Sequence, residues 1–419
     1  MNENIACVIL AAGKSTRMKS QTPKILHPIC SRPMLGYVAD LVKELKISNV
    51  IFVLGHKHRE VESFLPKGTK VVIQQRLIGT ADAVKQAGRL LKGFHGTLLV
   101  LYADNPLLKK DTVKKLIRYH IENKLDATLL TAQLVDPAGY GRILRDKYSS
   151  ICGIVEEKDA DLFQRDIKEI NTGIACFNKN KLFEALSYVR PNNRKKEYYL
   201  TDIIAILYKN GRLIDSVKLG DINEALGINT RLDLARANKI MQERINAKFM
   251  LKGISIIDPA TTFISFGARI GEDTVIYPFT VIERDVKIGN RCLVGPFAHL
   301  REGTVLENEV LVGNFLEIVR SRLGQKTWIK HFSYIGDSRI GRQVNIGAGT
   351  VTANFDGRKK NTTVIKDKAF IGSDTVLVAP VRIGKQAITG AGSVITKRHN
   401  VSDGSTVIGV PARALRKKS

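Results

Sequence analysis

The stretch Ile264-Ser-Phe-Gly-Ala-Arg-Ile270-Gly-Glu-Asp-Thr-Val-Ile276 has an aliphatic residue at every sixth position, and the spacing continues far beyond it. A period of six is typical of neither an α-helix nor an isolated strand. It is typical of a solenoid whose aliphatic side chains point into a stacked prism. The sequence therefore predicts a left-handed parallel β-helix of hexapeptide repeats. The aliphatic series comprises Ile264, Ile270, Ile276, Ile282, Ile288, Val294, Leu300, Leu306, Val312 and Ile318, and resumes after slips at Ile329, Ile335, Ile340, Ile346, Ile365, Ile371, Leu377 and Ile383.

Such a solenoid has flat faces, and burial of one face favours a homo-oligomer, with a homotrimer as the expected closed assembly. A polar segment at residues 354–363 interrupts the repeats. We interpret this segment either as a tolerated surface insertion or as a loop that reaches the site of a neighbouring subunit.

The first half of the chain has a different pattern. Short runs rich in Val, Ile and Leu at 5–10, 50–54, 71–73, 97–101 and 127–130 alternate with helical patterns such as 34–45 and 112–121. This order predicts a Rossmann-like α/β domain with a mainly parallel sheet, whose ligands bind beyond the carboxyl ends of the strands. We expect this α/β domain at 1–228, a linker helix at 229–250, the β-helix at 251–396 and a basic tail at 397–419.

Composition limits the class of protein. The 419 residues are 44% hydrophobic, which excludes a disordered chain, and no apolar run is long enough for a membrane helix. The start of the chain does not resemble a signal peptide, and the five cysteines are scattered, so we expect a cytoplasmic protein without membrane insertion. The net charge of +26 fits either a solvated lysine-rich surface or the binding of anions.

Two loops of the first half could bind a nucleotide. The loop after the first strand, Leu10-Ala-Ala-Gly-Lys-Ser-Thr-Arg-Met18, offers backbone amides and Arg17 to phosphates, with Lys24 nearby. Asp104 ends another apolar strand, where a carboxylate could hold Mg²⁺ against a triphosphate. Asp104 could instead cap the helix that follows it.

The chain also carries a series of motifs that resembles the sugar-1-phosphate nucleotidyltransferases. Together with the hexapeptide half, it resembles the family of bifunctional N-acetylglucosamine-1-phosphate uridyltransferases and glucosamine-1-phosphate N-acetyltransferases. The motifs are residues 10–18, Pro23-Lys24, Gly79-Thr80-Ala-Asp-Ala83, Tyr102-Ala-Asp-Asn-Pro-Leu107, Tyr140-Gly-Arg142, Val155-Glu156, Glu169-Ile-Asn-Thr-Gly173, Glu197-Tyr-Tyr-Leu-Thr-Asp202, Gly227-Ile-Asn229, Gly313-Asn-Phe-Leu-Glu317, His331-Phe-Ser-Tyr334, Asn345-Ile-Gly-Ala-Gly-Thr350 and Gly372-Ser-Asp374.

This resemblance implies an enzyme with two chemistries, acetyl transfer from acetyl-CoA and Mg²⁺-dependent uridylyl transfer from UTP. For uridylyl transfer it implies Arg17 and Lys24 as charge-stabilising catalytic residues and Asp104 and Asn229 as Mg²⁺ ligands. The implied nucleotide contacts are Leu10, Ala11, Ala12, Gly13, Lys24, Gln74, Gly79 and Thr80. The implied contacts to N-acetylglucosamine-1-phosphate are Tyr102, Gly141, Glu156, Asn171 and Asn229.

For acetyl transfer, the resemblance implies that His331 is the base that accepts a proton from the attacking amine. A lone histidine on a solenoid is otherwise a surface residue. The implied contacts to glucosamine-1-phosphate are Arg301, Tyr334, Asn345 and Lys360, and those to acetyl-CoA are Ala348, Asn354, Phe355, Ser373 and Ala391.

The chain departs from the family at several of these places. Ser15 replaces a loop glycine of the family, Val319 replaces a phosphate-binding lysine and Gly409 replaces a cofactor-binding arginine. The chain also differs from the family at Arg76, Leu77, Lys330 and Phe355. An alternative hypothesis therefore keeps nucleotidyl transfer alone and treats the β-helix as a trimerisation scaffold. A third, a polyanion-binding module, predicts basic residues interleaved with aromatics, but only 6% of residues are aromatic, so we expect no nucleic-acid partner.

Overall fold

The computed structural model describes residues 4–415, which divide into two compact units after Asn238. The division falls within a long helix, Arg231–Met250, which lies in the segment where a linker helix is predicted, 229–250. Residues 416–419 of the predicted basic tail lie outside the described residues, and the predicted boundaries at 228, 250 and 396 stay predictions. In the described part of the chain, no helix is both long and apolar enough to cross a membrane.

The first unit alternates strands and helices as expected. The strands are β1 (Ile5–Ala11), β2 (Pro28–Ile29), β3 (Arg32–Pro33), β4 (Asn49–Leu54), β5 (Lys70–Ile73), β6 (Thr97–Tyr102), β7 (Ala127–Gln133), β8 (Gly141–Arg145), β9 (Ile151–Val155), β10 (Glu169–Asn178) and β11 (Ile214–Lys218). The α-helices of the chain are α1 (Met34–Glu44), α2 (His58–Glu62), α3 (Thr80–Ala87), α4 (Lys110–Glu122), α5 (Leu162–Arg165), α6 (Lys179–Leu186), α7 (Asp202–Lys209) and α8 (Arg231–Met250).

The main sheet has the order β11-β7-β10-β6-β1-β4-β5, and the hairpin β8–β9 joins it through β10. The pairs β1/β4, β1/β6, β4/β5 and β7/β11 are parallel, whereas β10 lies antiparallel between β6 and β7. Alternate side chains of β1 enter two different apolar cores, Val8 with α3 and α6, and Ile9 with α1 and α4. Helices therefore cover both faces, and the expectation of a mainly parallel α/β sheet is confirmed.

The second unit is a parallel β-helix, as the hexapeptide spacing predicted. Its strands are β12 (Ser255–Ile256), β13 (Phe263–Ile264), β14 (Arg269–Ile270), β15 (Val275–Ile276), β16 (Val281–Ile282), β17 (Lys287–Ile288), β18 (Leu293–Val294), β19 (Ala298–Leu300), β20 (Val305–Leu306), β21 (Leu311–Val312), β22 (Leu316–Val319), β23 (Arg322–Leu323), β24 (Trp328–Ile329), β25 (Ser333–Gly336), β26 (Ser338–Ile340), β27 (Asn345–Ile346), β28 (Val351–Ala353), β29 (Thr363–Ile365), β30 (Phe370–Ile371), β31 (Val376–Val378), β32 (Val381–Ile383), β33 (Ile388–Thr389), β34 (Val394–Ile395), β35 (Thr406–Gly409) and β36 (Ala412–Ala414).

From β12 to β34 every third strand pairs in parallel, β35 then pairs in parallel with β33, and β36 pairs antiparallel with β35. This builds three flat sheets of ten, eight and seven strands. In most strands the aliphatic residue of the repeat is buried and its predecessor points outward, so each sheet presents one outward row. We name the faces by these rows. The apolar face carries Val275, Leu293, Leu311, Trp328, Asn345, Phe370 and Ile388; the site face carries His299, Glu317, Tyr334 and Val351; the basic face carries Arg269, Lys287, Val305, Arg322, Arg339, Val364 and Arg382.

Candidate functional site

The candidate nucleotide loop begins where β1 reaches the carboxyl edge of the sheet. Leu10 lies level with Tyr102 of β6, and the amide of Ala103 donates to the carbonyl of Leu10 at 3.0 Å. Ser15 adopts the left-handed conformation with φ of 58°, which a glycine would adopt without strain. At Ser15, where the family has a glycine, the loop therefore keeps the backbone conformation that glycine favours. Holding a non-glycine residue in this conformation costs on the order of 1 kcal/mol.

Four polar side chains converge beside this loop. The ammonium of Lys24 forms an ion pair with Asp104 and donates to Oδ1 of Asn229 at 3.0 Å, and Arg17 donates to the same oxygen at 2.8 Å. The amide of Ile228 donates to the carbonyl of Asp104 at 3.0 Å, which holds the segment containing Asn229 against the end of β6. Two oxygens separated by 125 positions in the sequence thus face the same cation.

The turn between β5 and α3 brings the next candidates to the same edge. Gly79 has φ of 132°, and a Cβ there would lie 2.2 Å from the carbonyl oxygen of Tyr198, so no other residue fits this backbone. The hydroxyl of Thr80 accepts a hydrogen bond from the amide of Leu200 at 2.9 Å. Gln74 is buried beside Gly79 and donates to its carbonyl at 3.0 Å.

The candidate sugar-phosphate residues surround the start of the β8–β9 hairpin. Gly141 pairs with Asn171 of β10, and a Cβ at Gly141 would lie 3.6 Å from the carboxylate of Glu156. Burial raises the pKa of Glu156, and a hydrogen bond of 3.0 Å from the hydroxyl of Thr201 opposes that rise. Burial, with the nearby negative charges of Glu156 and Asp104, raises the pKa of Tyr102. A buried polar recess thus lies next to the Asp104 cluster.

In the second unit, two of the four candidates for glucosamine-1-phosphate binding, Arg301 and Tyr334, lie at the site face. Tyr334 lies level with Glu317 on the neighbouring strand, and Arg301 donates to Glu317 at 2.7 Å. The amide nitrogen of Asn354 donates to the hydroxyl of Tyr334 at 3.4 Å and also to Asp337. A guanidinium, a phenol and a carboxamide are therefore available on one flat surface.

The corner that precedes the site face holds a second group. Ser373 accepts a backbone hydrogen bond from Gly392 at 2.8 Å, and the amide of Asp374 donates to the carbonyl of Ala348 at 2.6 Å, so successive coils stack there. His331 belongs to the coil before Ala348, because the amide of Gly349 donates to the carbonyl of Phe332 at 2.7 Å. The residues His331, Ala348, Ser373 and Ala391 occupy equivalent positions in this column.

Other candidates lie apart from these groups. Asn345 is on the apolar face, between Trp328 and Phe370. The backbones of Phe355 and Lys360 pair as an isolated antiparallel β-bridge within the polar insertion. The positive charge of Lys360 helps to lower the pKa of Asp337. Val319, which replaces the family's phosphate-binding lysine, is buried with 2% of its surface exposed and supplies no charge.

Sequence reasoning missed two carboxylates that support the candidates, Asp337 and Asp82. Arg320 forms a bidentate ion pair with Asp337 at 2.6 and 2.8 Å, and hydrogen bonding to Arg320 lowers the pKa of Asp337. Asp82 accepts a hydrogen bond from Gln74 at 2.8 Å. Asp82 was inside a quoted motif, but its role could only be seen once the turn brought it back to Gln74.

Comparisons with known proteins agree with this architecture. Residues 7–166 match the MobA-like NTP transferase domain, and residues 267–302 and 362–397 match the bacterial transferase hexapeptide family. The Bifunctional protein GlmU of Geobacillus sp. (strain WCH70) is 44% identical over 93% of this chain and 92% of its own length. Bifunctional protein GlmU of Desulfitobacterium hafniense (strain DSM 10664 / DCB-2) is 43% identical over 94% and 93%, and that of Thermosipho africanus (strain TCF52B) is 44% identical over 93% and 92%. The chain belongs to the GlmU family of bifunctional proteins.

Membership of the GlmU family confirms the resemblance that the motifs carried. The chain is a bifunctional enzyme that joins a nucleotidyltransferase unit to a hexapeptide acetyltransferase unit. The hypothesis of nucleotidyl transfer with a β-helix scaffold is less favoured, because the similarity to bifunctional relatives extends through both halves.

Proposed function

We propose that the second unit transfers an acetyl group from acetyl-CoA to glucosamine-1-phosphate, and that the first unit then transfers a uridylyl group from UTP to the N-acetylglucosamine-1-phosphate so formed. The family similarity over both halves supports the pair of reactions. In the first unit, the cluster of Lys24, Asp104 and Asn229 is the single observation that carries the proposal.

Uridylyl transfer is an in-line attack by a sugar-phosphate oxygen on the α-phosphorus of UTP, and pyrophosphate leaves. No protein nucleophile is needed, so the residues act by positioning and by offsetting negative charge. Lys24 and Arg17 offer that charge beside the loop formed by Leu10, Ala11, Ala12 and Gly13, while Gln74, Gly79 and Thr80 would contact the nucleotide. The recess of Tyr102, Gly141, Glu156 and Asn171 would take the sugar phosphate.

The residues present fit Mg²⁺. Lys24 contacts both the Asp104 carboxylate and the Asn229 amide oxygen, so these two oxygens face one point. A charged and a neutral oxygen suit Mg²⁺, which keeps water and phosphate oxygens as its other ligands. Asp104 and Asn229 would hold the ion, and it would neutralise charge on the triphosphate.

In acetyl transfer, the amine of glucosamine-1-phosphate attacks the thioester carbonyl, and coenzyme A leaves as the thiol. We propose that His331 accepts the amine proton. Arg301, Tyr334 and Lys360 would bind the sugar phosphate, with Asn345 contributed from the apolar face of a neighbouring subunit. The corner column with Asn354 and Phe355 would contact acetyl-CoA. The exposed position of His331 beside the column Ala348, Ser373 and Ala391 supports this assignment.

We further propose a cytoplasmic homotrimer that buries the apolar face. Trp328, Phe370, Ile388 and Leu293 on this face are 47%, 50%, 42% and 37% exposed in one chain, which is unfavourable for large apolar side chains in water. Trp328→Glu is expected to shift the mass measured by light scattering towards the monomer. Arg339→Glu, on the basic face, is the matched control and should leave the mass unchanged.

One reaction mixture tests both activities. The full chain with Mg²⁺, UTP, acetyl-CoA and glucosamine-1-phosphate should form UDP-N-acetylglucosamine. His331→Ala should abolish thiol release from acetyl-CoA but leave uridylyl transfer to supplied N-acetylglucosamine-1-phosphate intact, and Asp104→Asn should do the reverse. His399→Ala, at another exposed histidine of the β-helix, is the control. Thiol release that survives in His331→Ala would overturn the assignment of the base.

A further inference from the structure

The carboxamide of Gln74 is held in one orientation. It follows β5, is 4% exposed, and its nitrogen donates to the carbonyl of Gly79 at 3.0 Å and to Oδ2 of Asp82 at 2.8 Å. A carbonyl and a carboxylate can only accept hydrogen bonds, so the amide oxygen cannot face them without losing both bonds. The amide nitrogen is therefore fixed towards α3, and Oε1 is left for another partner.

Asp82 is itself held at both oxygens. It lies in the first turn of α3, where the positive end of the helix dipole stabilises a carboxylate. Its second oxygen, Oδ1, accepts a hydrogen bond from Gln86 at 3.2 Å. The acceptor that fixes Gln74 is thus a charged group with little freedom to turn.

Gln74 also lines a cavity beside the nucleotide loop. The cavity has a volume of about 540 Å³, and Lys14 and Gly55 contribute to the same wall. A Cβ at Gly55 would lie 2.5 Å from the carbonyl oxygen of Ala12, so this wall is in contact with the loop proposed to bind the nucleotide. A base bound next to that loop would meet an acceptor atom at Gln74.

We infer that Asp82 is a positioning residue that selects the nucleotide base through Gln74. With its nitrogen held by Asp82, Gln74 presents Oε1, which accepts a hydrogen bond from the N3–H of uracil or thymine. Cytosine has an acceptor at N3, so two lone pairs would face each other and its binding would be weakened. The inference rests on the proposed uridylyl transfer and assigns its base discrimination to a residue outside the contact set.

The test measures discrimination between UTP and CTP in the full chain. In Asp82→Asn the new side chain can donate to Gln74 as well as accept from it, so the carboxamide can turn over and offer its nitrogen to a base. We expect the ratio of kcat/KM for UTP to that for CTP to fall about tenfold, mainly through KM, and the ratio of equilibrium affinities to fall equally. Gln86→Ala is the matched control, because it removes the other contact of Asp82, and it should keep both ratios.

Two further measurements separate the outcomes. If Asp82→Asn lowers the rates with UTP and CTP by the same factor and leaves the affinity ratio unchanged, Asp82 has only a structural role and the inference is wrong. In a Gln74→Leu background, Asp82→Asn should change the ratio no further, and a further change would also overturn it. A wild-type chain that binds UTP in preference to CTP but forms no nucleotide sugar would refute the proposed function and leave the base selection standing.

Discussion

Asp202 is expected to destabilise the folded chain at neutral pH. It begins α7, and burial, followed by the negative charges of Glu156 and Asp159, raises its pKa from 3.8 to about 6. Because the folded pKa is the higher one, the folded state binds a proton more tightly than the unfolded state does. The contribution of Asp202 to the free energy of unfolding is therefore largest below pH 4 and is lost as the pH rises towards 6.

The size of this loss follows from the shift. A change of about two pKa units corresponds to about 3 kcal/mol at about 1.36 kcal/mol per unit. Asp202 is only partly buried, so solvent screens the charge, and we expect about 1–2 kcal/mol. Asp202→Asn removes the charge and should raise the free energy of unfolding by that amount at pH 8, with little effect at pH 4.

Urea unfolding of the full chain, followed by circular dichroism at both pH values, measures this difference. Asp111→Asn is the matched control, because Asp111 also lies in the first turn of a helix but is exposed. It should show no gain at pH 8. If Asp202→Asn lowers the stability at pH 8, or changes it equally at both pH values, the burial and charge argument for Asp202 is wrong.

Three other substitutions test the packing of the sites. Gly79→Ala should destabilise the first unit by about 1–3 kcal/mol and raise KM for UTP, because its Cβ would meet Tyr198; unchanged kinetics would contradict this. Arg142→Met should lower the free energy of unfolding in urea by about 2 kcal/mol. The loss should be smaller than for a fully buried ion pair, because Arg142 is 2% exposed but its partner Glu157 is 35% exposed. Ile318→Ala should lower the midpoint of β-helix unfolding, at a cost of about 2–5 kcal/mol, because Ile318 is fully buried; an unchanged midpoint would argue against close packing there.

The β-helix could be predicted in detail because its signal is local. Each inward position can be recognised from the aliphatic residues six positions before and after it, so Ile264 and Ile276 could be placed in the core before any contact was known. The parallel strands of the first unit were also predictable, since β1, β4 and β6 are short apolar runs bounded by turns. Neither case required knowledge of a distant part of the chain.

The rest depended on contacts between distant residues. Strand β10 enters antiparallel between β6 and β7, and no local pattern distinguishes such a strand from a parallel one. The pairing of Lys24 with Asp104 and Asn229 spans about half of the chain, and only the resemblance suggested that these residues act together. The role of Asp82 was overlooked although Asp82 is only eight residues from Gln74 in the sequence. An acidic residue in the first turn of a helix is already explained by the helix dipole, so nothing pointed to a second role.

The charged residues of the β-helix show why the six-residue period alone does not predict the chemistry of each outer face. The six-residue period determines which side chains point inward, but three repeats make one coil. Neighbouring outward residues on one face are therefore 17 or 18 residues apart in the sequence, and 25 apart across the polar insertion. Arg269 and Lys287 are neighbours on the basic face, as are Arg322 and Arg339. In the linear sequence, these cations alternate every six residues or so with residues of the apolar face and the site face, so they look scattered. The register therefore places a row of the excess positive charge on a different face from Tyr334, so this row cannot be explained by the acetyltransferase candidates on the site face of the same chain.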